Sequence, residues 1–220
     1  MDPRCAVAAV TLTALALLTA VASHANPIAY AQGTTVMAEW GGTTMREAQV
    51  FYAPRFDVSV GGGYVRLISD VDTSTRDIVY GRLNFLAKRW NLESAQANVF
   101  IWGGLGGAKA SEHDGTVLAE NVGAQFDFET RQVYFSAKSD LQRSAVFSDR
   151  IDTLQFGVSP VPHDFNTLAT WIVVQARQYT GNIHDGTETA LLLRLFKGNR
   201  WIEAGITNGG HLQAMFMTNF

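Results

Sequence analysis

Cysteine is almost absent from the sequence, which contains only one, Cys5, among 220 residues. Cys5 lies in an N-terminal segment that we expect to be removed, so the mature chain would hold no thiol. This excludes disulfides, thiolate catalysis and cysteine-based metal sites. A basic excess is also absent, with 17 Lys and Arg against 20 Asp and Glu and a formal net charge of −3. The sequence therefore gives no electrostatic case for nucleic-acid binding.

Long apolar runs are missing as well, apart from one at the N-terminus. Residues 5–22 are mostly apolar, Arg4 precedes them, and the small-x-small sequence Ser23-His24-Ala25 follows. This pattern predicts a secretory signal peptide over residues 1–25 and a mature chain, 26–220, of the size of one domain. An uncleaved anchor helix is the alternative, because about eighteen apolar residues can just span a bilayer.

The rest of the chain alternates between apolar and polar residues with a period of two, which predicts β-strands. In the last run Leu212, Phe216 and Phe220 share one face, and Gly209-Gly210 before it predicts a hairpin turn. Twelve such runs are predicted, at residues 34–41, 45–53, 56–67, 77–90, 96–108, 116–129, 132–141, 149–160, 166–179, 188–197, 201–208 and 212–220. None shows a sustained helical stripe, so the sequence predicts an all-β fold.

The connections between the runs sort into two kinds. Short ones are predicted at 54–55, 91–95, 130–131, 161–165 and 198–199, and longer polar ones alternate with them at 69–76, 109–115, 142–148 and 180–187. A chain that ended on an apolar strand in an open sheet would expose an aggregation-prone edge. We therefore predict that the last strand pairs with the first and closes a barrel.

The alternating strands, the two kinds of connection and the final run resemble those of bacterial outer-membrane β-barrels. The assembly signal of that family matches Leu212, Phe216 and the terminal Phe220. The resemblance implies a closed antiparallel transmembrane β-barrel of about twelve strands, with both termini periplasmic and short periplasmic turns. It also implies a location in the outer membrane, contact with its lipid and insertion by the barrel-assembly machinery.

One face of each run is apolar, and the other carries the charged side chains. The residues predicted to line the lumen are Glu39, Glu47, Asp57, Arg82, Lys88, Asp127, Glu129, Lys138, Asp140, Arg177, Glu188, Arg194 and Glu203. A cation facing lipid at mid-membrane would cost about 2–4 kcal/mol, which favours this register. Trp40, Trp90, Trp171 and Trp201 lie near run ends, where interfacial aromatic residues are expected.

Two interpretations of the lumen remain open. Acids outnumber bases among the predicted lining residues, which favours a narrow passive channel for small polar or cationic solutes. The alternative is a filled, non-conducting barrel with a structural role, because twelve strands lie between filled small barrels and open porins.

A soft-metal site is a further hypothesis within the filled-barrel interpretation. Met37 on the first strand, Met215 and Met217 on the last strand and His211 at its outer end all point inward in the predicted register. Thioether and imidazole ligands suit Cu(I) or Ag(I). The alternative is that these methionines only fill irregular space.

The outer loops contain a repeated tetrapeptide, His113-Asp114-Gly115-Thr116 and His184-Asp185-Gly186-Thr187. His113 and His184 could hold a divalent ion if the two loops meet, although Asp-Gly is also ordinary turn chemistry. No histidine forms a His-x-Ser pair, so a lipid-modifying enzyme with an activated serine is the less favoured class. The sequence predicts no catalytic residue and no cofactor.

Overall fold

The computed structural model describes residues 31–162 and 167–220, and the predicted signal peptide at 1–25 lies outside these described residues. Within these described residues, twelve β-strands follow one another. They are β1 (Gly33–Gly41), β2 (Met45–Arg55), β3 (Val58–Ile68), β4 (Thr75–Asn91), β5 (Ala95–Ala110), β6 (Val117–Thr130), β7 (Val133–Ser144), β8 (Ser148–Val158), β9 (Ala169–Tyr179), β10 (Thr187–Lys197), β11 (Arg200–Thr207) and β12 (Leu212–Asn219). In the described part of the chain, no helix is long and apolar enough to cross a bilayer.

The strands form one closed antiparallel barrel in which each pairs with its neighbours in sequence and β1 pairs with β12. The closing seam places Thr35 opposite Asn219, and their side chains share a buried hydrogen bond of 2.7 Å. Where this seam ends, the backbone N–H of Thr34 donates to Phe220 O at 2.6 Å, and the backbone N–H of Phe220 donates to Thr34 O at 3.0 Å. The all-β, closed twelve-stranded fold predicted from the alternation is thus confirmed.

The barrel has two different ends. The loop end carries the connections β1–β2, β3–β4, β5–β6, β7–β8, β9–β10 and β11–β12, and the turn end carries the other five together with the start of β1 and the end of β12. Three turn-end connections contain only two residues each, at 56–57, 131–132 and 198–199. The β8–β9 connection differs from its prediction. β8 ends at Val158 and β9 begins at Ala169, whereas the predicted connection spans 161–165, and residues 163–166 lie outside the described residues.

Alternation along each strand separates a buried inner face from an exposed outer face. Outer apolar side chains are exposed, as at Val79 and Leu191, which are 61% and 60% exposed. Trp40 and Trp90 lie on this outer face, where interfacial aromatic residues are expected. Trp171 and Trp201 instead lie inside, 3% and 4% exposed. Their positions on β9 and β11 belong to the alternate residues that face the lumen, a property that we call inward parity.

Inward-facing glycines let neighbouring backbones approach the barrel wall closely. A Cβ atom added at Gly61 would lie 2.0 Å from Val50 O, and one at Gly106 would lie 1.9 Å from Val79 O. No side chain fits at such distances, so these strands depend on glycine at these positions.

Candidate functional site

The candidate site is the lumen, because every strand aims one set of side chains into it. The interior encloses a cavity of about 120 Å³, and each of the twelve strands contributes at least one lining residue. Thr35 and Tyr134 line it toward the turn end, and Met45 and Ile151 line it toward the loop end. The cavity therefore extends along the barrel axis and has both polar and apolar walls.

The charged residues that line this cavity are balanced in sign. Four are acids, Glu39, Glu47, Asp140 and Glu203, and four are bases, Arg82, Lys138, Arg177 and Arg194. The acid excess predicted from the sequence does not extend to the cavity wall. The lining itself therefore gives no reason to expect strong selection between hard cations and anions.

Most of these charges are paired within hydrogen-bond distance. Arg194 Nε donates to Glu203 Oε2 at 2.6 Å, and the two residues lie opposite each other on β10 and β11. Arg177 on β9 reaches across to Glu39 on β1. Glu47 accepts from the hydroxyl of Tyr80 at 2.9 Å. Such pairing is required because a buried charge without a partner is costly.

Arg82 occupies a cage of polar and aromatic side chains. Its guanidinium donates to Gln49 Oε1 at 3.1 Å and to Asn121 Oδ1 at 3.2 Å, and its Nη1 lies 4.0 Å from Asp140 Oδ2. The ring centroids of Phe51, Tyr80 and Trp102 lie 4.7, 5.4 and 5.1 Å from its Cζ. Aromatic faces stabilise a desolvated cation, so Arg82 is fixed on the inner wall.

An apolar cluster lies at the loop end, and we call it the loop-end cluster. Its large members are Met45, Phe51, Leu67, Ile78, Tyr80, Phe147, Ile151, Tyr179 and Ile183. Ile183 comes from the β9–β10 loop and is fully buried. Asp70 of the β3–β4 loop holds that loop in place: its N–H donates to Ile183 O at 3.1 Å, and its Oδ2 lies 2.6 Å from His184 Nδ1.

A buried ion pair supports the loop-end cluster from the strands beneath it. Arg76 Nε lies 3.0 Å from Asp149 Oδ2, and Arg76 Nη2 donates to Gly181 O at 3.4 Å. In the neighbouring β3–β4 loop, hydrogen bonds from Ser74 and Ser69 lower the pKa of Asp72 to about 2. The contacts of Arg76 join the β3–β4, β7–β8 and β9–β10 hairpins at the loop end.

Eleven of the thirteen charged residues predicted to line the lumen point inward. Eight of them line the cavity, and Asp127, Glu129 and Glu188 face the interior away from it. Asp127 is buried and accepts from Asn98 Nδ2 at 2.7 Å. Glu188 is 3% exposed near the loop end.

Asp57 and Lys88 lie elsewhere than predicted. Asp57 belongs to the β2–β3 turn, where its carboxylate accepts two hydrogen bonds from Arg55 at 2.9 and 3.0 Å. Lys88 lies on the outer surface beside the ring of Trp90, because a β-bulge after Leu86 shifts the register by one residue. The same bulge turns Arg89 inward, where its Nε donates to Asn98 at 2.7 Å. A single inserted residue thus exchanges the roles of two adjacent cations.

The structure brings together the three predicted methionine ligands but not the histidines. Met37 lies directly opposite Met217, and all three of Met37, Met215 and Met217 line the cavity. His211 is exposed at the loop end, four residues along the chain from Met215. His184 pairs with Asp70, and His113 is exposed in its own loop.

The residues of the predicted assembly signal share the outer face of β12 and its end. Leu212, Phe216 and Phe220 are 61%, 42% and 71% exposed. Phe216 lies between Ala38 of β1 and Ile202 of β11, and so covers the closing seam from outside.

Sequence reasoning missed the uncharged polar residues that bridge the lumen. Gln155 donates to Gln175 at 2.8 Å, and Gln175 donates to Gln213 at 3.0 Å, which connects β8 to β12 across the interior. Arg194 joins the chain by donating to Gln155 at 2.8 Å. The alternating pattern of the sequence contains this information, because all of these residues occupy inward-facing strand positions, as the predicted charged residues do.

No protein-family model matches the chain, and no curated protein is significantly similar to it. Among the described residues, no group of three or more His, Cys, Asp or Glu side chains is placed to hold a metal ion. The outer surface and the lumen are therefore the features of the molecule that point to a function.

Proposed function

We propose that the protein is an outer-membrane β-barrel whose narrow lumen is a passage for small polar solutes and is closed at its loop end at rest. The membrane placement is supported by a band on the outer face of the described strands that contains no Asp, Glu, Lys, Arg or His, which we call the uncharged belt. It separates two charged rims. The loop-end rim holds Arg46, Arg66, Asp77, Lys109, Glu120, Arg143, Arg150 and Asp152, and the turn-end rim holds Arg55, Lys88, Lys197 and Arg200.

The height of the uncharged belt suits a bilayer. On β4 it separates Asp77 from Lys88, and Val79, Leu83 and Phe85 lie exposed between them. At about 3.3 Å per residue and a strand tilt of about 40°, this stretch rises about 25 Å. That is the height of the apolar band on outer-membrane barrels. A soluble barrel would have to hide this much apolar surface against a partner.

The orientation follows from the two ends of the barrel. Both ends of the described barrel lie at the turn end, which faces the periplasm in outer-membrane barrels. The predicted signal peptide and the terminal Phe220 agree with export and insertion by the barrel-assembly machinery. The loop-end cluster then faces the outside of the cell.

The axial cavity favours a passage rather than a purely structural core. It reaches from Thr35 and Tyr134 near the turn end to Met45 beneath the loop-end cluster. Ile183 on the β9–β10 loop and Phe147 on the β7–β8 connection close that end, and neither belongs to a strand. Loops move more readily than paired strands, so displacing these two side chains is the simplest way to open the lumen.

A filled, non-conducting barrel is the second candidate, and the polar bridges across the interior favour it. The glutamine chain and the pair of Arg177 with Glu39 connect strands on different sides of the lumen. In this alternative the bridges stabilise the barrel and no solute passes.

Planar-bilayer recording distinguishes the two candidates. The purified barrel is compared with an Ile183→Ala/Phe147→Ala double variant and with a Val146→Ala control, since Val146 lies beside Phe147 but is 42% exposed. We expect rare, short openings from the native protein and from the control, and frequent openings from the double variant, because only the latter opens the loop-end cluster. If circular dichroism shows that the double variant is folded and it still does not conduct, the barrel is filled.

A further inference from the structure

The methionines of the described residues lie on only one of the two faces of the barrel, the inner one. All four in the described part of the chain, Met37, Met45, Met215 and Met217, line the lumen cavity. The outer face displays many exposed Val, Leu, Ile and Phe side chains, yet none of the described methionines is among the exposed large hydrophobic residues. The thioether groups of the described residues are therefore concentrated on the wall of the lumen cavity.

Strand register places these side chains at successive levels of one wall. Met37 and Met217 are direct cross-strand partners. Met215 is the next inward-facing residue of β12 toward the loop end, and it lies opposite Glu39. Directly opposed residues in an antiparallel pair have Cβ atoms about 5 Å apart, and those one inward position away about 7 Å apart. Three rotatable bonds let thioether sulfurs separated by such distances meet on one ion. On β2, Glu47 lies opposite Glu39, and Met45 is the next inward-facing residue toward the loop end.

The surroundings favour a soft ion over a hard one. Glu39 and Glu203 are the register partners of Met215, and each is already paired with an arginine, Arg177 or Arg194. A hard cation such as Mg²⁺ or Ca²⁺ would need those carboxylate oxygens. A thioether carries no charge and prefers soft cations such as Cu(I) and Ag(I). The wall of the lumen therefore offers thioether sulfurs as soft ligands, next to carboxylates that are already paired with arginines.

We propose that Met37, Met215 and Met217 form a binding site for a monovalent soft metal ion, Cu(I) or Ag(I), with Met45 as a further ligand on the way to the loop end. This inference deepens the proposed passage by naming its solute class. The binding itself requires only the closed barrel. Its test is therefore made on detergent-solubilised protein, where conduction plays no part.

The site is tested by titrating the purified barrel with silver nitrate in chloride-free buffer. Binding is followed by isothermal calorimetry and by quenching of tryptophan fluorescence, since Trp201 is the register partner of Met217. We expect one Ag(I) per barrel with sulfur coordination in X-ray absorption. In a Met37→Leu/Met215→Leu/Met217→Leu variant the affinity should fall at least about tenfold, because leucine keeps the volume but removes the sulfur.

Matched variants separate the site from other soft ligands. A His113→Gln/His184→Gln/His211→Gln variant should bind Ag(I) as the native protein does, and Met45→Leu should weaken binding less than the triple methionine variant. Equal binding by the native protein and the folded methionine variant would overturn the proposal, and so would nitrogen coordination of the bound silver. Silver binding by the native barrel, together with a folded Ile183→Ala/Phe147→Ala variant that does not conduct, would uphold this site and reject the passage.

Discussion

Arg194 and Glu203 form a buried ion pair in direct cross-strand register, with Nε 2.6 Å from Oε2 and side chains only 3% and 4% exposed. The rings of Tyr134 and Trp201 flank the guanidinium, with centroids 4.4 Å from its Cζ. The pair is thus buried between aromatic rings with Gln155 as a further polar partner, and each charge depends mainly on the other for its stability.

Glu203→Gln should lower the free energy of unfolding by about 3 kcal/mol, because Arg194 would keep its charge without a carboxylate. An Arg194→Met/Glu203→Leu variant should recover much of this loss, since it removes both buried charges together. Urea titration of the barrel in lipid vesicles measures both. As the matched control, Asp152→Asn breaks the exposed pair with Arg150 and should cost less than about 1 kcal/mol. Equal losses at Glu203 and Asp152 would contradict the role of burial.

Two glycines of β5 provide a second comparison within one strand. Gly106→Ala should destabilise the barrel by about 1–3 kcal/mol, because the new Cβ would lie 1.9 Å from Val79 O and the backbones would have to separate. Gly103→Ala should change stability by less than about 0.5 kcal/mol, because nothing lies within 4 Å of its Cβ position. The same urea titrations distinguish them, and a tolerated Gly106→Ala would show that the wall is not packed this closely.

Much of the fold was predictable because a period of two is a strong signal over twelve runs. The limits came from local features that alternation does not encode. The bulge after Leu86 exchanges Lys88 and Arg89 between the two faces, and no residue type marks the insertion. The ends of strands also misled the prediction, since Asp57 continues the alternation but belongs to a turn.

The candidate site was predictable in composition but not in its connections. Parity identified most inward charges and the three methionines, because parity depends only on the strand. It did not show that Arg177 reaches Glu39 on a distant strand, or that Ile183 folds from a loop into the loop-end cluster. These contacts depend on the curvature of the barrel and on loop conformations, which a periodic pattern does not determine.

Assembly in the cell should depend on the end of β12. Deleting Phe220 removes the residue whose backbone closes the seam with Thr34, and Phe216→Asp places a charge over the seam on the outer face. Both changes should reduce the heat-modifiable barrel in outer-membrane fractions, the second because a carboxylate in lipid costs up to about 2 kcal/mol. Phe220→Trp, which keeps an aromatic terminus, is the control. Normal levels from the Phe220-deleted chain would contradict the resemblance to the assembly signal.

The last prediction tests whether the uncharged belt faces lipid. Leu193 lies on the outer face of β10 between Ile172 and Ala204, and is 49% exposed. If hydrocarbon surrounds it, Leu193→Arg should cost about 2–4 kcal/mol in lipid vesicles. Thr187→Arg on the same face, at the loop end of the same strand, should cost less than about 1 kcal/mol, because it lies near the interface. A soluble barrel would tolerate both exposed substitutions within about 0.5 kcal/mol. A difference of at least about 1 kcal/mol between the two variants therefore supports the membrane placement, and equal stabilities would remove its main support.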